Sequence, residues 1–312
     1  MKGLAHWDEV EAHDLRRGPM QLDRIDLGDA IGSVDVGVAR LKLDPGGRSS
    51  PVHVELDEEE IFFVLAGSGL SWQDGQTYEV GAGDCVVHLA AEETHTLIAG
   101  PEGLDVLAFG ERTSATATAL PRAGVLRMAA TVEIADGPHP WDREAAAGEL
   151  ELPEPSPRPA NIVNLDAIEG EYDGHFKELG ASAGSVRTGL NRVSLPTGME
   201  GAPPHCHSEE EEIFVVLAGD GTFGLWPSPQ AARHGKVSEE IAVRTGHVVA
   251  RPAGTGIAHN LTAGEDGLVY LAYGTKKPND ICYYPRSNKI FFCGVGLIAR
   301  LEDLDYSDGD ER

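Results

Sequence analysis

The chain has 312 residues, of which 41% are hydrophobic and 24% are charged. This composition is that of a globular protein with enough apolar material for one large core or two ordinary ones, and it excludes a disordered or collagen-like chain. Acidic residues number 51 against 25 basic residues, so the formal net charge is −26. Phosphate backbones and anionic membranes are therefore poor partners for this surface.

The first fifteen residues, MKGLAHWDEVEAHDL, contain no apolar run and do not resemble a secretory signal. No stretch approaches the roughly 18 consecutive apolar residues that a membrane-spanning helix requires. The four cysteines are widely spaced and include no Cys-x-x-Cys pair, which argues against a disulfide framework and against a cysteine zinc site. We therefore expect a cytoplasmic protein with reduced thiols.

An internal repeat sets the predicted architecture. Residues 51–69 match residues 203–221 at a constant offset of 152, and residues 104–113 match residues 268–277 at an offset of 164. The additional residues of the second copy fall in a Pro- and Gly-containing loop at 226–240. In both copies, short runs of branched and aromatic residues between Gly, Pro and Asp indicate strands. The sequence predicts two related all-β domains.

The connection between the two copies has a different composition. Its segment 142–151, DREAAAGELE, is the best helical candidate, and the alternating prolines of 152–160 favour an extended connector. The predicted organisation is an N-terminal domain, an irregular Pro-rich linker with a short helix, and a C-terminal domain that ends in an acidic tail: 1–113, 114–160 and 161–312.

The second copy carries a candidate metal site. His205 and His207 are two residues apart in a predicted strand, so both imidazoles project from one face. The acidic run Glu209–Glu211 is predicted to be a solvated turn, after which Glu212 opens the next strand beside the two imidazoles. His259 follows a Pro-Ala-Gly turn further along the chain. Three imidazoles and one carboxylate suit a divalent first-row cation.

The two copies resemble cupin domains, which are small β-barrels with two diagnostic sequence stretches. The first stretch, Gly-x5-His-x-His-x3–4-Glu-x6-Gly, is matched from His205 to the turn glycine Gly219. The second, Gly-x5-Pro-x-Gly-x2-His-x3-Asn, begins at Gly246. It departs from the pattern because four residues, not two, separate Gly254 from His259.

The resemblance covers about 37–112 and 187–277. It implies a bicupin, with two tandem double-stranded β-helix (jelly-roll) barrels. It also implies that one divalent transition metal (Fe, Mn, Ni, Co or Zn) is held in the C-terminal domain. Cys206 alternates to the opposite face and is not expected to ligate. The implied metal ligands are His205, His207, Glu212 and His259.

The first copy departs from this pattern. His53, Glu60 and His95 stand at three of the four ligand positions, but Glu55 replaces the second histidine. One interpretation is a second metal site with two imidazoles and two carboxylates, which would favour harder ions such as Mn or Mg. The other is a decayed site without metal, towards which the missing Pro-x-Gly turn at 90–97 points.

A cation held by three histidines and one glutamate commonly keeps two positions for water or substrate. We therefore expect a divalent-metal-dependent enzyme acting on a small polar metabolite in the C-terminal barrel, by dioxygenase-, isomerase- or decarboxylase-type chemistry. The alternative is a non-catalytic, small-ligand-binding cupin with a structural or adventitious metal. The sequence assigns no catalytic acid or base. The expected partner is a small molecule rather than nucleic acid or membrane, and the expected assembly is a monomer or homodimer.

Overall fold

The computed structural model consists mainly of antiparallel β-sheet. It describes residues 3–113, 116–128, 132–134, 137–302, 304 and 307–309, with 132–134 described by their backbone only. The first half contains β1 (Leu4–His6), β2 (Ala12–Arg17), β3 (Met20–Ile25), α1 (Leu27–Ile31), β4 (Val36–Leu43), β5 (Val54–Glu55), β6 (Glu60–Gln73), β7 (Gln76–Gly81), β8 (Asp84–His88) and β9 (His95–Glu111).

The middle of the chain adds three strands and a helix, and the second half then repeats the pattern of the first. The middle elements are β10 (Ala117–Leu120), β11 (Val125–Met128), β12 (Val132–Ile134) and α2 (Pro140–Ala146). The second half contains β13 (Ile162–Asn164), β14 (Phe176–Glu178), α3 (Leu179–Ser182), β15 (Thr188–Leu195), β16 (Cys206–His207), β17 (Glu212–Pro227), α4 (Pro229–Arg233), β18 (Glu239–Arg244), β19 (His247–Arg251), β20 (Ile257–Thr275), β21 (Ile281–Tyr284), β22 (Lys289–Phe292) and β23 (Leu297–Arg300).

Each half forms one barrel-like sheet with the same order of strands. The first sheet has the order β13-β8-β6-β9-β4-β3-β2 with β7 beside β6, and the second has the order β1-β19-β17-β20-β15-β14 with β18 beside β17. The first parts of β6 and β17, Ile61–Val64 and Ile213–Val216, are apolar on both faces, and both faces are buried there. Phe62 points into the first barrel, whereas its neighbour Ile61 joins a core between the barrels. Phe214 and Ile213 repeat this alternation in the second half.

The two halves exchange their first strands across the predicted domain boundaries. Strand β1 pairs with β19 of the C-terminal sheet, and β13 pairs with β8 of the N-terminal sheet. A shared apolar core lies between the barrels and contains Phe109 from one half and Tyr273 from the other, with ring centroids 4.9 Å apart. The boundaries 1–113 and 161–312 remain a prediction, and each half supplies one strand to the other.

The linker is more ordered than its sequence predicts. Strands β10, β11 and β12 form a small sheet with β5, because Thr118 and Ala119 pair with Glu55 and Val54. The short helix α2 begins two residues before the predicted start, and the side chain of His139 caps it by accepting from the backbone N–H of Trp141. The proline-rich stretch after the helix is irregular, as predicted. The linker thus packs onto the N-terminal barrel.

Two glycines mark equivalent irregularities within the long strands. Gly67 and Gly219 have φ angles of 82° and 81°, a region that favours glycine. A Cβ at either position would collide with a backbone oxygen, that of Gly103 or Gly267. Both strands change register around these glycines, where β6 meets β9 and β17 meets β20. Gly219, expected as a turn glycine, therefore lies at an irregularity within β17 rather than in a turn between strands.

The described part of the chain contains no helix with the length and hydropathy that crossing a bilayer requires. The four cysteines are free thiols, as expected.

Candidate metal centre

The structure brings the four predicted C-terminal residues to one point. His205 and His207 lie at the short strand β16, Glu212 begins β17, and His259 lies in β20, where its backbone pairs with His205. Glu212 Oε2 is 3.8 Å from the Nε2 atom of His205, 3.4 Å from that of His207 and 2.9 Å from that of His259. Three imidazoles therefore face the same carboxylate oxygen.

Three atoms of this cluster are buried and have no hydrogen-bond partner. They are His207 Nε2, Glu212 Oε2 and His259 Nε2. Although His259 and Glu212 approach to 2.9 Å, their contact lacks hydrogen-bond geometry. Two atoms that each lie about 2.1 Å from one ion are about 3 Å apart at right angles and about 4 Å apart when opposite. The observed spacing therefore fits a shared cation.

The other ring nitrogens fix the orientation of the imidazoles. His207 Nδ1 donates to Asp280 Oδ2 at 2.7 Å, and His205 Nδ1 donates to the carbonyl oxygen of Pro203 at 2.8 Å. The buried Asp280 also accepts from the backbone N–H groups of Ser208 and Glu209, at 3.0 and 2.9 Å. Such outer hydrogen bonds leave the Nε2 atoms free to face a metal.

Burial and neighbouring charges shift the pKa values of these groups in opposite directions. Burial alone would raise the pKa of Glu212, but the charges of His259 and His207 hold it well below its ordinary value. Burial lowers the pKa of His259 to about 4. For His207, the hydrogen bond to Asp280 and the charge of Glu212 outweigh burial and raise the pKa to about 10. Glu212 is therefore ionised and His259 neutral at neutral pH, the states that metal ligation requires, whereas His207 carries a proton that a bound metal would displace.

A sulfur atom that the sequence did not predict lies beside this cluster. Cys282 in β21 pairs with His207 in β16, whereas Cys206 pairs with Tyr283. Directly paired residues project from the same face of a sheet, so Cys282 lies on the side of His207. Its sulfur and one ring nitrogen each of His205 and His207 lie within 4.8 Å of one another. Cys206 belongs to no metal-capable group among the described residues, in line with its predicted orientation.

An arginine, also missed from the sequence, stands beside Glu212. Arg251 in β19 lies opposite Glu212 in the register, and its Nη2 donates to the carbonyl oxygen of Ile257 at 3.0 Å. Its Nε is buried without a hydrogen-bond partner, and burial lowers the pKa of its guanidinium. The same register position in the N-terminal half, opposite Glu60, is occupied by His88. Only the C-terminal cluster therefore has an arginine at this position.

The N-terminal cluster brings three of its four predicted residues into direct contact. Glu60 Oε2 accepts from His53 Nε2 at 3.2 Å and from His95 Nε2 at 2.9 Å, both with hydrogen-bond geometry. Glu55 lies further out, with Oε1 3.9 Å from His53 Nε2, and its Oε2 accepts from Thr118 Oγ1 at 2.7 Å. These nitrogens therefore have protein partners, unlike His207 Nε2 and His259 Nε2.

The pKa values of the N-terminal cluster are shifted by burial, by neighbouring carboxylates and by stacked imidazole rings. Burial and the charge of Glu60 raise the pKa of Glu55 to about 7. Burial lowers the pKa of His95 to about 3, and His88, whose ring is stacked on it at 3.7 Å, contributes to this decrease. For His53, the contact with Glu60 outweighs burial and raises the pKa to about 9. A proton on His53 thus performs part of the charge balance that a cation would provide.

A cavity of about 200 Å³ opens at the N-terminal cluster. Its lining includes His53, Glu55 and Glu60 of the cluster and Arg127 and Trp141 of the linker. A larger recess of about 440 Å³ adjoins it, and Leu120, Arg127 and Trp141 of the linker line both. The ordered linker therefore forms part of the wall of both cavities.

Tandem barrels of this order, each with an inward cluster of histidine and glutamate, define a bicupin. Comparison with family models agrees: the model described as "Cupin domain" matches residues 39–107, and the model described as "Cupin" matches residues 183–290. The chain belongs to the cupin superfamily.

Solved structures of similar fold include two bacterial oxalate decarboxylases. The Bacillus subtilis enzyme is 15% identical with a TM-score of 0.61, over 87% of this chain and 75% of that one. The Lactobacillus farciminis enzyme, in a formate complex, is 15% identical with a TM-score of 0.62. The match covers 90% of this chain and 88% of that one. One structure of the B. subtilis enzyme concerns its Mn(II) centres. At this identity the likeness establishes the fold. No functionally curated protein matches the chain.

Proposed function

We propose that this bicupin is a divalent-metal-dependent enzyme that acts on a small polar metabolite in its C-terminal barrel. The metal would be held by His205, His207, Glu212 and His259. The observation that carries the proposal is the set of converging buried atoms without hydrogen-bond partners, His207 Nε2, Glu212 Oε2 and His259 Nε2. Buried polar atoms without partners are unfavourable in a folded protein, and a shared cation would satisfy all of them.

A bound cation would supply Lewis acidity and would orient an oxygen-bearing substrate. The protein's own residues define the surroundings. Asp280 holds His207 in the orientation that presents Nε2, and the Arg251 side chain, projecting from the same face as Glu212, would attract an anionic substrate. The tyrosine ring of Tyr284 stacks on His205, with ring centroids 5.8 Å apart, and limits access from that side.

Among dioxygenase-, isomerase- and decarboxylase-type reactions, the first to test is decarboxylation of a small carboxylic acid. Arg251 beside the cluster favours a carboxylate substrate, and the likeness to oxalate decarboxylases supports the same choice. Manganese is accordingly the first metal to test, with iron, nickel, cobalt and zinc as the other candidates.

The N-terminal cluster is proposed to bind metal more weakly than the C-terminal cluster, or not at all. Both Nε2 atoms that a cation would need are engaged by Glu60, and Glu55 is held away by Thr118. The cavity at this cluster supports a second candidate function, in which the chain is a non-catalytic binding protein for a small ligand. A metal in the C-terminal barrel would then be structural or adventitious.

The test uses the full chain, freed of metal and reloaded separately with each candidate ion. Turnover is measured on oxalate, other small carboxylates, phenolic compounds and sugar phosphates. We expect metal-dependent turnover that His207→Ala abolishes and that His234→Ala, a change at an exposed histidine, preserves. Tight metal binding without turnover, together with lower thermal stability of His207→Ala, would support the binding protein. Absence of metal binding would contradict the metal-dependent enzyme and leave only a binding protein that uses the N-terminal cavity.

A further inference from the structure

The C-terminal cluster has a second set of potential ligands that includes sulfur. Cys282 is only 2% exposed and lies directly opposite His207 in the β16–β21 register. One ring nitrogen each of His205 and His207 and the sulfur of Cys282 lie within 4.8 Å of one another. This group shares its two histidines with the cluster around Glu212, so a single ion can engage one set or the other.

The position of Cys282 has a counterpart in the N-terminal half. Thr118 lies opposite Glu55 in the β5–β10 register, as Cys282 lies opposite His207. The Thr118 hydroxyl donates to Glu55 Oε2 at 2.7 Å, so a side chain at this position reaches the second ligand position of its barrel. A thiol is a weak hydrogen-bond donor but a strong ligand as the thiolate. The Thr118 hydroxyl therefore acts as a hydrogen-bond donor at this position, whereas the Cys282 thiol at the equivalent position can bind a metal.

A second observation points to a ligand at this position. His207 Nε2 is buried and without a hydrogen-bond partner, and so is Nε2 of His259, which is only 3% exposed. Buried polar atoms without a partner are uncommon unless water or an ion satisfies them, and His207 belongs to the group that contains Cys282.

We propose that Cys282 is a metal ligand of the C-terminal site for thiophilic ions. This inference rests on the proposed function in that it requires His205 and His207 to bind metal. On coordination the Cys282 thiol loses its proton to solvent, the sulfur–metal bond forms, and no electron is transferred. Zinc and cobalt accept thiolate readily, whereas manganese and magnesium prefer oxygen. Cys282 therefore shifts the selectivity of the site towards zinc and cobalt, and manganese uses the set that contains Glu212.

The test is the absorption spectrum of the full chain titrated with Co²⁺ after metal removal. Bound cobalt gives visible ligand-field bands, and a cobalt–thiolate bond adds a near-ultraviolet charge-transfer band. We expect this band in the wild-type protein and in Cys206→Ser, whose thiol lies on the opposite face, and its loss in Cys282→Ser. The ratio of cobalt affinity to manganese affinity should fall about tenfold or more in Cys282→Ser, which retains visible bands.

Visible bands without the charge-transfer band in the wild type, or a charge-transfer band that persists in Cys282→Ser, would overturn this inference and leave the proposed function intact. Failure of the wild type to bind cobalt, manganese or zinc would overturn both. If Cys282→Ser does not fold, X-ray absorption of the zinc-loaded wild type decides. A sulfur neighbour at about 2.3 Å supports the inference, and a shell of only nitrogen and oxygen overturns it.

Discussion

Glu59 and Glu211 stand 152 residues apart, and each binds the backbone of the opposite half of the molecule. Both side chains are fully buried. Glu211 accepts from the N–H groups of Val34 and Val36, at 2.9 and 3.1 Å. Glu59 accepts from those of Val186, Arg187 and Thr188, at 2.8, 2.8 and 3.2 Å. This reciprocal pair of contacts joins the two barrels at equivalent positions.

Replacement of either glutamate by glutamine should destabilise the protein. The amide keeps one oxygen but directs an NH₂ group towards N–H donors, which leaves buried donors unpaired. We expect Glu59→Gln and Glu211→Gln each to lower the free energy of unfolding by about 2–3 kcal/mol, measured by urea denaturation. The matched control is Glu209→Gln, in the same acidic run but exposed. Equal stability of all three variants would contradict this account of the interface.

Replacement of Asp280 by asparagine should weaken metal binding without removing a metal ligand. Asp280 orients His207 through the 2.7 Å hydrogen bond, and loss of such an outer partner typically reduces metal affinity about 10–100-fold. Isothermal titration with Mn²⁺ and Zn²⁺ measures the effect. The control is Asp266→Asn, at an exposed position of β20. If the folded Asp280→Asn protein binds both ions with unchanged affinity, Asp280 has no role in positioning the site.

Replacement of Glu55 by histidine should create a stronger metal site in the N-terminal barrel. The change restores the His-x-His spacing found at His205 and His207 and removes a carboxylate held by Thr118. In a His259→Ala background, we expect affinity for zinc or cobalt to rise about tenfold or more. Leu56→His, which adds an imidazole on the opposite face, is the control. If Glu55→His binds zinc or cobalt no more tightly than this control, the barrel geometry, and not residue 55, prevents metal binding.

Glu58 should make stability depend on pH. Burial, together with the charges of Glu55 and Glu60, raises the pKa of Glu58 to about 9 from its ordinary value of 4.5. The folded state therefore keeps a proton that the unfolded state releases above pH 4.5, so this residue's contribution to stability falls as pH rises from about 4.5 to about 9. The slope is at most about 1.4 kcal/mol per pH unit.

Glu58→Gln removes this titration, so the variant should gain stability relative to wild type at pH 8 and show little gain at pH 4.5. Thermal unfolding of metal-free protein at both pH values measures the difference, with exposed Glu102→Gln as the control. A gain that is equal at the two pH values would show that Glu58 ionises normally in the folded state.

Much of the fold could be predicted from the sequence because the repeat preserves both pattern and spacing. The runs that begin at Glu60 and Glu212 form strands of the same register, with irregularities at equivalent glycines. The exchange of β1 and β13 could not be predicted, since three-residue strands carry no pattern that identifies their partner. The acidic run before Glu212 was predicted to be solvated, yet Glu211 is buried, because its acceptors meet N–H donors from the distant other half.

The candidate ligands could be predicted because their spacing within one strand and turn is local. Their neighbours could not. Asp280 and Cys282 lie more than 70 residues beyond His207 and reach it only through the pairing of β16 with β21. Thr118 lies in a segment predicted to be irregular, and it reaches Glu55 only because β10 pairs with β5. These contacts depend on tertiary pairing, for which one sequence offers no period or motif.

The most direct test of the central claim is a crystal structure of the full chain loaded with manganese or zinc, with anomalous scattering to locate the ion. We predict an ion in the C-terminal barrel. For manganese, ring nitrogens of His205, His207 and His259 and a Glu212 oxygen lie within about 2.0–2.3 Å of the ion; for zinc, ring nitrogens of His205 and His207 and the Cys282 sulfur lie within that range. Saturating metal that leaves these atoms without an ion, or an ion bound only elsewhere on the acidic surface, would contradict the account.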